Sequence, residues 1–276
     1  MLEQSDLLAI RRIASKANPK IKAWASLADK PARRALGLTL AEGRRLVADA
    51  LARGRDSRFE PRAFLVSDAG AAHAEAGGLF EMARGLGIEC FSLSDPCYEK
   101  ISRLGAPEGI ALVCGLPARE DLVALAAEGI WLVADGVQDP GNAGALARTA
   151  LAAGAAGCLF LDGVDPTSPK FLRGSMGAAF ALACPAIAAG EFVRLRPSLP
   201  LRLVAAVSGN GAVDYRLLDR RPPLGIVVGG EKGISDNILD LADERIHIPL
   251  QGGVESLNLA VAAGVLLFSG ETGGAP

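Results

Sequence analysis

The stretch RIHIPLQGGVESLNLAVAAG, residues 245–264, decides how this chain is read. A short apolar strand ends at Pro249, a loop with Gly252 and Gly253 follows, and Ser256 and Asn258 open a helix of Leu, Ala, Val and Gly. Ser and Asn suit that place because their side-chain oxygens accept the N–H groups that a helix's first turn leaves without partners. Two readings follow. In one, the polar pair only caps a buried helix. In the other, the loop at the strand's end holds a small molecule through its backbone. Ala260, Ala262, Ala263 and Gly264 would then let another segment approach closely.

The same alternation runs upstream. Strands are expected at Ile130–Ala134, Cys158–Leu161, Leu201–Ala206, Gly225–Val228 and Arg245–Ile248, with small-residue helices such as Ala143–Ala153 between them. Runs apolar on both faces belong to parallel sheets covered by helices. Nearer the N-terminus, helical patterns at Asp6–Ala17 and Ala41–Arg53 precede strands at Ala63–Val66, Glu89–Phe91 and Ile110–Val113, which read as a smaller α/β unit. The segment Leu116–Asp121, interrupted by Pro117, reads as a linker. The expectation is an α/β protein of two domains, residues 1–116 and 122–270.

With 50% hydrophobic and 22% charged residues, 276 residues can bury one large core or two modest ones, built from Ala, Val and Leu because aromatics are only 5%. The five cysteines form no CxxC or Cys/His pairing and only two histidines exist, so neither a zinc site nor a disulfide framework is expected. No basic-then-apolar leader opens the chain, and the clean apolar run Leu259–Phe268 is too short to span a bilayer. A soluble, cytoplasmic protein with no metal is expected.

Charge is unevenly spread. Residues 1–60 hold 13 Lys/Arg against 7 Asp/Glu, whereas the remainder holds 16 against 24. A basic segment on an acidic protein is the footprint of a region that approaches phosphates, although Arg11, Arg12, Lys16, Lys20 and Lys22 could equally line a solvated helix face.

Two Gly-rich loops in the second half can carry chemistry. The first, DGVQDPGNAGALARTA (residues 135–150), lacks both the dinucleotide GxGxxG and the P-loop Lys-Ser/Thr. It places Asn142 at a helix start and Arg148 six residues later among Ala and Leu. If that Arg is buried or half-buried it needs an anionic partner, either a structural carboxylate or a substrate phosphate. The second, GGEKGISD (residues 229–236), follows an apolar strand, where glycines let backbone approach a ligand. Glu231 could accept from a ribose or amino group, or be an exposed turn carboxylate.

The segments NAGALARTA (142–150), DPTSPKFLRGSMG (165–177), GGE (229–231) and HIPL…ESLNLAVAAG (247–264), in this order, closely resemble the SpoU/TrmH family of RNA ribose 2′-O-methyltransferases of the SPOUT superfamily. NPKIK (18–22) and KPARRALGLTLAEGRRLV (30–47) resemble the ribosomal-protein-like substrate-binding domain many members carry in front. The resemblance implies a C-terminal domain tied in a trefoil knot, an exception to the rule that chains avoid threading. It implies S-adenosylmethionine as cofactor, held chiefly by backbone at Gly229, Gly230, Ile248, Leu250 and Leu257. It implies Arg148 as the group that activates the 2′-hydroxyl, or that clamps the adjacent phosphate and orients it. Asn142, Ser256 and Asn258 would hold the loops and the ribose, and Glu231 would stabilise its loop. A homodimer acting on RNA is implied, with Lys22, Arg33, Arg34, Lys170 and Arg173 meeting phosphate. Large-subunit ribosomal RNA is the expected substrate. Transfer RNA is the alternative, as is a non-catalytic RNA-binding or ribosome-assembly protein of the same fold. The loop from Gly229 to Ser235 departs from many members by being about one residue shorter.

Overall fold

The structure, a computed structural model, describes residues 10–118, 121–209 and 211–269. It divides into two compact units, one made of the chain up to Ala118 with Thr167–Ala181, the other of the remaining residues.

The first unit is built on strands β1 (Arg11–Ile13), β2 (Leu38–Glu42), β3 (Pro61–Ser67), β4 (Glu89–Leu93) and β5 (Ile110–Gly115), in the order β1-β4-β3-β5-β2. The β1-β4-β3 ladder is parallel, and β5 lies antiparallel to β3 and β2. Helix α1 (Pro19–Ser26) is capped by Asn18, whose side chain accepts from the Lys20 N–H. α2 is Lys30–Leu36 and α3 is Arg44–Arg53. Trp24 of α1 meets Phe91 of β4 edge-on, 5.2 Å between ring centres, within a core that also holds Leu40, Leu65 and Val113. Thr39 Oγ1 donates to the Thr167 carbonyl at 2.6 Å, which ties the segment 167–181 to β2.

Two local expectations are corrected here. Residues 6–9 of the expected helix Asp6–Ala17 lie outside the described residues, and Arg11–Ile13 form an edge strand instead. Their charges are spent across the sheet: Arg12 grips both carboxylate oxygens of Asp68 (2.6 and 2.9 Å) and Arg11 pairs with Glu89 (3.1 Å). The expected helix Ala41–Arg53 begins only at Arg44, because Ala41 and Glu42 finish β2 and Gly43 breaks the chain at φ +110°. That left-handed backbone favours glycine. Of the expected linker, Arg119 and Glu120 lie outside the described residues, and Asp121 caps the turn of helix Leu122–Leu125.

The second unit is a wholly parallel seven-stranded sheet. Its strands are β6 (Ile130–Asp135), β7 (Gly157–Leu161), β8 (Ala186–Ile187), β9 (Arg202–Ala206), β10 (Val213–Asp214), β11 (Leu224–Gly229) and β12 (Glu244–His247). The order is β10-β12-β9-β11-β6-β7-β8. From β6 the chain steps outward to β7 and β8, then returns to build the other side from β9 to β12. The order therefore reverses between β6 and β11, and ligands of open α/β sheets sit at such a switch point, outside the strands' carboxyl ends. β6, β7, β9 and β11 are almost entirely buried, as strands covered on both faces must be. Helix α4 (Pro140–Ala152) packs on α5 (Leu259–Phe268), where Gly264 lies beside the Thr149 methyl. Arg220 closes the end of α5, donating to the carbonyls of Leu266 (2.7 Å) and Leu267 (3.0 Å). A cation there satisfies orphan carbonyls and faces the negative end of the helix dipole.

Candidate functional site

At the carboxyl ends of β6, β9, β11 and β12 lies a cavity of about 720 Å³. Each wall comes from a different loop. The loop after β6 contributes Val137, Gln138, Asp139 and Asn142. Asp139 is the N-cap of α4, its Oδ1 accepting the Asn142 N–H at 2.8 Å, and Pro140 occupies the first turn where no N–H is needed. The exposed Asn142 side chain is thus carried on a fixed helix start.

The loop after β11 folds as a turn closed by the Gly233 N–H on the Gly230 carbonyl (3.0 Å), with Gly233 at φ +79° and Glu231 exposed at its tip. Glycine at 229 was expected for the approach of a ligand. The geometry gives a nearer reason: a Cβ there would lie 2.1 Å from the Gly233 carbonyl carbon and 2.3 Å from the Ile234 nitrogen. A Cβ at Gly230 would lie 2.6 Å from the Gly136 carbonyl oxygen. The chain packs so closely at Gly229 and Gly230 that neither position has room for a side chain.

Its far end is anchored by a residue that motif reading missed. Asp135, 3% exposed at the end of β6, accepts from both the backbone N–H (2.7 Å) and the hydroxyl (2.6 Å) of Ser235. Its carbonyl also accepts the Gly230 N–H at 2.7 Å. A signal was present, since a carboxylate ending an otherwise apolar strand must find donors when buried. Nothing local said that they lie a hundred residues on.

The loop after β12 brings Ile248, Leu250, Glu255, Ser256 and Leu257 to the cavity, and α5 adds Leu259, Ala262 and Leu266. Asn258 does not line it. Its Oδ1 accepts from Ala260 (3.0 Å) and Val261 (3.4 Å), so it sets the start of α5, while exposed Ser256 stays in the loop. Ala206, which ends β9, and Val207 and Ser208, which follow it, complete the wall and were not singled out as site residues from the sequence. The residues expected at Asn142, Gly229, Gly230, Glu231, Ile248, Leu250, Ser256 and Leu257 therefore meet around one space.

Arg148 does not join them. Six residues beyond Asn142 it points roughly 120° away round the helix, and it is exposed rather than half-buried.

Of the residues expected to meet phosphate, Lys22, Arg34 and Lys170 are exposed and Arg173 is half-buried. Arg33 is corrected: 2% exposed, it donates to the carbonyls of Leu27 (2.9 Å) and Ala28 (2.8 Å) and to the Thr167 hydroxyl (3.2 Å). Neighbouring helix residues differ by about 100° in direction, so Arg33 turns inward where Arg34 turns out. Among the described residues no cluster of His, Cys, Asp or Glu could hold a metal ion, and no helix is long and apolar enough to cross a membrane.

Residues 129–268 match the SpoU rRNA Methylase family, and residues 18–112 match the MRM3-like substrate binding domain. The chain is 31% identical over 261 residues to the 23S rRNA (guanosine(2553)-2'-O)-methyltransferase RlmP of Bacillus subtilis, spanning 94% of this chain and 98% of that protein. It is 30% identical over 308 residues to the mitochondrial rRNA methyltransferase 3 of Mus musculus, spanning 88% of this chain and 69% of that protein. Among solved structures, the AdoMet-bound rRNA methyltransferase from Sinorhizobium meliloti matches with a TM-score of 0.78 at 27% identity, over 94% of this chain and 97% of that one. By the extent of these matches, the chain belongs to the SpoU rRNA Methylase family.

Proposed function

We propose that this protein transfers a methyl group from S-adenosylmethionine to a ribose 2′-hydroxyl of RNA, with large-subunit ribosomal RNA as the substrate. The observation that carries this reading is the convergence of the three C-terminal loops and the start of α4 on one cavity at the sheet's switch point. The cavity fits the cofactor: the Gly229–Ser235 turn offers backbone groups without side-chain bulk, and Leu250, Leu257, Leu259 and Leu266 supply apolar wall. S-adenosylmethionine, when bound, supplies an electrophilic methyl group. The protein's part is to place the acceptor hydroxyl in line with it and to help its proton leave.

For that part Asn142 and Ser256 are among the polar side chains at hand. Gly229, Gly230, Ile248, Leu250 and Leu257 hold the cofactor through backbone and shape, and Glu231 stabilises its turn. Arg148 acts from the exposed face of α4 by gripping the phosphate beside the target ribose, with the proton passing to water; a guanidinium is too weak an acid to serve readily as base. Residues 1–116 form the substrate-binding domain and 122–270 the methyltransferase domain, with Lys22, Arg34, Lys170 and Arg173 meeting phosphate. The active form is a homodimer, since α5 has no polar residue yet leaves Val261 and Phe268 each 53% exposed. A helix apolar all round is normally covered. The protein's proposed place of action is the cytoplasm.

The deciding experiment maps 2′-O-methylation in total RNA from cells with and without this gene. Loss of one ribosomal site, restored by methyl transfer from labelled S-adenosylmethionine with purified protein, is the expected result. Loss at a transfer RNA instead would move the substrate class. An unchanged map together with inactive purified protein would leave only a binding role.

A further inference from the structure

Among the described residues, every charged side chain lining the cavity at the sheet's switch point is acidic. Asp139, Glu231 and Glu255 come from three different loops, after β6, β11 and β12, and all three are exposed. Neither Glu231 nor Glu255 has an ion-pair partner among the described residues. Asp139 Oδ1 accepts a neutral N–H, that of Asn142. Behind the wall, buried Asp135 is held by the N–H and hydroxyl of Ser235, again without a cation among the described residues. Lys232, beside Glu231 on the turn, is exposed and outside the lining.

Carboxylates drawn together around one space repel one another, and low-dielectric walls focus their field into it. A cationic ligand relieves that repulsion, whereas an RNA phosphate would add to it. S-adenosylmethionine is such a ligand: its sulfonium and α-ammonium outweigh its carboxylate by one positive charge. When the methyl passes to the ribose oxygen, the C–S bonding pair stays on sulfur and the hydroxyl proton goes to water. The product, S-adenosylhomocysteine, is then a thioether with no net charge and, the methyl apart, the same shape.

We propose that Glu255, together with Glu231 and Asp139, makes this cavity select the charged cofactor over its uncharged product, so that loss of the sulfonium charge loosens the product's hold. Glycine backbone and aliphatic side chains choose the molecule by shape. The carboxylates choose between two forms of it that shape barely distinguishes. Glu255 is the residue on which to test this, since Asp139 also caps α4 and Glu231 belongs to the Gly230–Gly233 turn. The inference rests on the methyltransferase reading for its ligand.

The test is calorimetry of the full chain, without RNA, against S-adenosylmethionine, S-adenosylhomocysteine and sinefungin, in which a carbon bearing an ammonium group replaces the sulfonium. The two charged ligands should bind about tenfold more tightly than the thioether, the effect of three unit charges roughly 8 Å away in a water-like medium. Glu255→Gln should cut that preference by about two- to threefold, the part due to one such charge, by weakening the charged ligands and sparing the thioether. Glu99→Gln, on the exposed side of the helix Asp95–Ile101, should leave the preference unchanged. Salt at about 1 M, where the screening length is about 3 Å, should narrow it in the unmodified protein. Thioether binding as tight as that of S-adenosylmethionine, or tighter, would overturn the proposal. So would sinefungin binding no better than the thioether, since the preference would then belong to the methyl group. An unchanged preference in Glu255→Gln, or an equal loss for all three ligands, would also overturn it. If that variant melts early, the preference of the unmodified protein and its salt dependence decide the matter. Failure of all three ligands to bind sinks the methyltransferase reading itself, whereas binding without the charge preference sinks only this inference.

Discussion

The two cavities are walled in opposite ways. Around the switch point of the parallel sheet, the polar groups that set the loops are engaged by the chain itself: Asp135 by Ser235, Asp139 by the Asn142 N–H, and Asn258 by the first turn of α5. What faces the cavity there is mainly glycine backbone and aliphatic side chain. In the first unit the wall is charged, with Arg44, Arg45 and Arg173 set among Asp49, Glu75 and Glu108, and the buried Glu42 carboxyl is held by the Ser102 and Tyr98 hydroxyls. A wall that is internally satisfied selects its ligand by shape, so substitutions there act through backbone geometry. A wall of mixed charges responds to ionisation, so substitutions there act through the balance of charge.

Gly229→Val strikes the first kind of wall hardest. With the Gly233 carbonyl carbon 2.1 Å from the new Cβ, the turn cannot close, and calorimetry should detect no S-adenosylmethionine binding. Retained binding would show that the turn's shape is not what holds the cofactor. Next comes Arg148→Ala, which should slow single-turnover methyl transfer by about 10²- to 10³-fold, the usual loss when one preorganised charge contact is removed. Cofactor affinity should hold, and the melting point should barely move because the side chain is exposed. An early-melting variant with near-normal rate would remove Arg148 from the chemistry. Asp135→Asn should fall between geometry and charge. It exchanges a charged acceptor for a neutral one at two short contacts from Ser235, which is worth about 1.5–3 kcal/mol. Affinity for the cofactor should drop by roughly tenfold to a hundredfold, and Ser235→Ala, which keeps the backbone N–H contact, should lose less. Equal losses in both variants would mean that the hydroxyl alone anchors the loop.

How far the sequence reaches differs between the same two regions. In the second unit the strands declare themselves because both faces are covered, so apolar runs such as IWLVA and GIVV have few other fates. Their expected positions match β6, β7, β9, β11 and β12 to within about one residue at most ends. The two-residue strands β8 and β10 carry no such signal. In the first unit, β1 places charges toward Asp68 and Glu89, which a charge pattern cannot tell from a solvated helix. LTLAE runs straight into the apolar face of α3, so the break at Gly43 is visible only as backbone. Arg33 and Arg34 are indistinguishable in sequence, and only helix phase sends one inward. Motifs gathered most of the cavity residues, yet Asp135 needed a partner a hundred residues away, and pairings at that range are not written locally.

The smallest predicted effect concerns the pH dependence of stability, and it tests whether the charged wall is kept at a cost. Burial raises the Glu42 carboxyl above its ordinary range, and the Ser102 contact and Arg173 offset this only in part. A carboxyl whose folded pKa is raised makes the folded state bind its proton more tightly than the unfolded state does. Above the folded pKa the group therefore lowers stability, and below the unfolded pKa that penalty is absent. Glu42→Gln removes the ionisation while keeping the shape. At neutral pH its urea midpoint should equal or exceed that of the parent. The gap should close as pH falls from the raised value to the ordinary carboxylate range near about 4.3. A substitution that stabilises there would show that the ionised carboxyl is not kept for the fold. If Glu42→Gln instead loses stability at every pH, the carboxyl serves the fold through Ser102 and Arg103. The contrast between the two cavities would then rest on Arg173 and Arg45 alone.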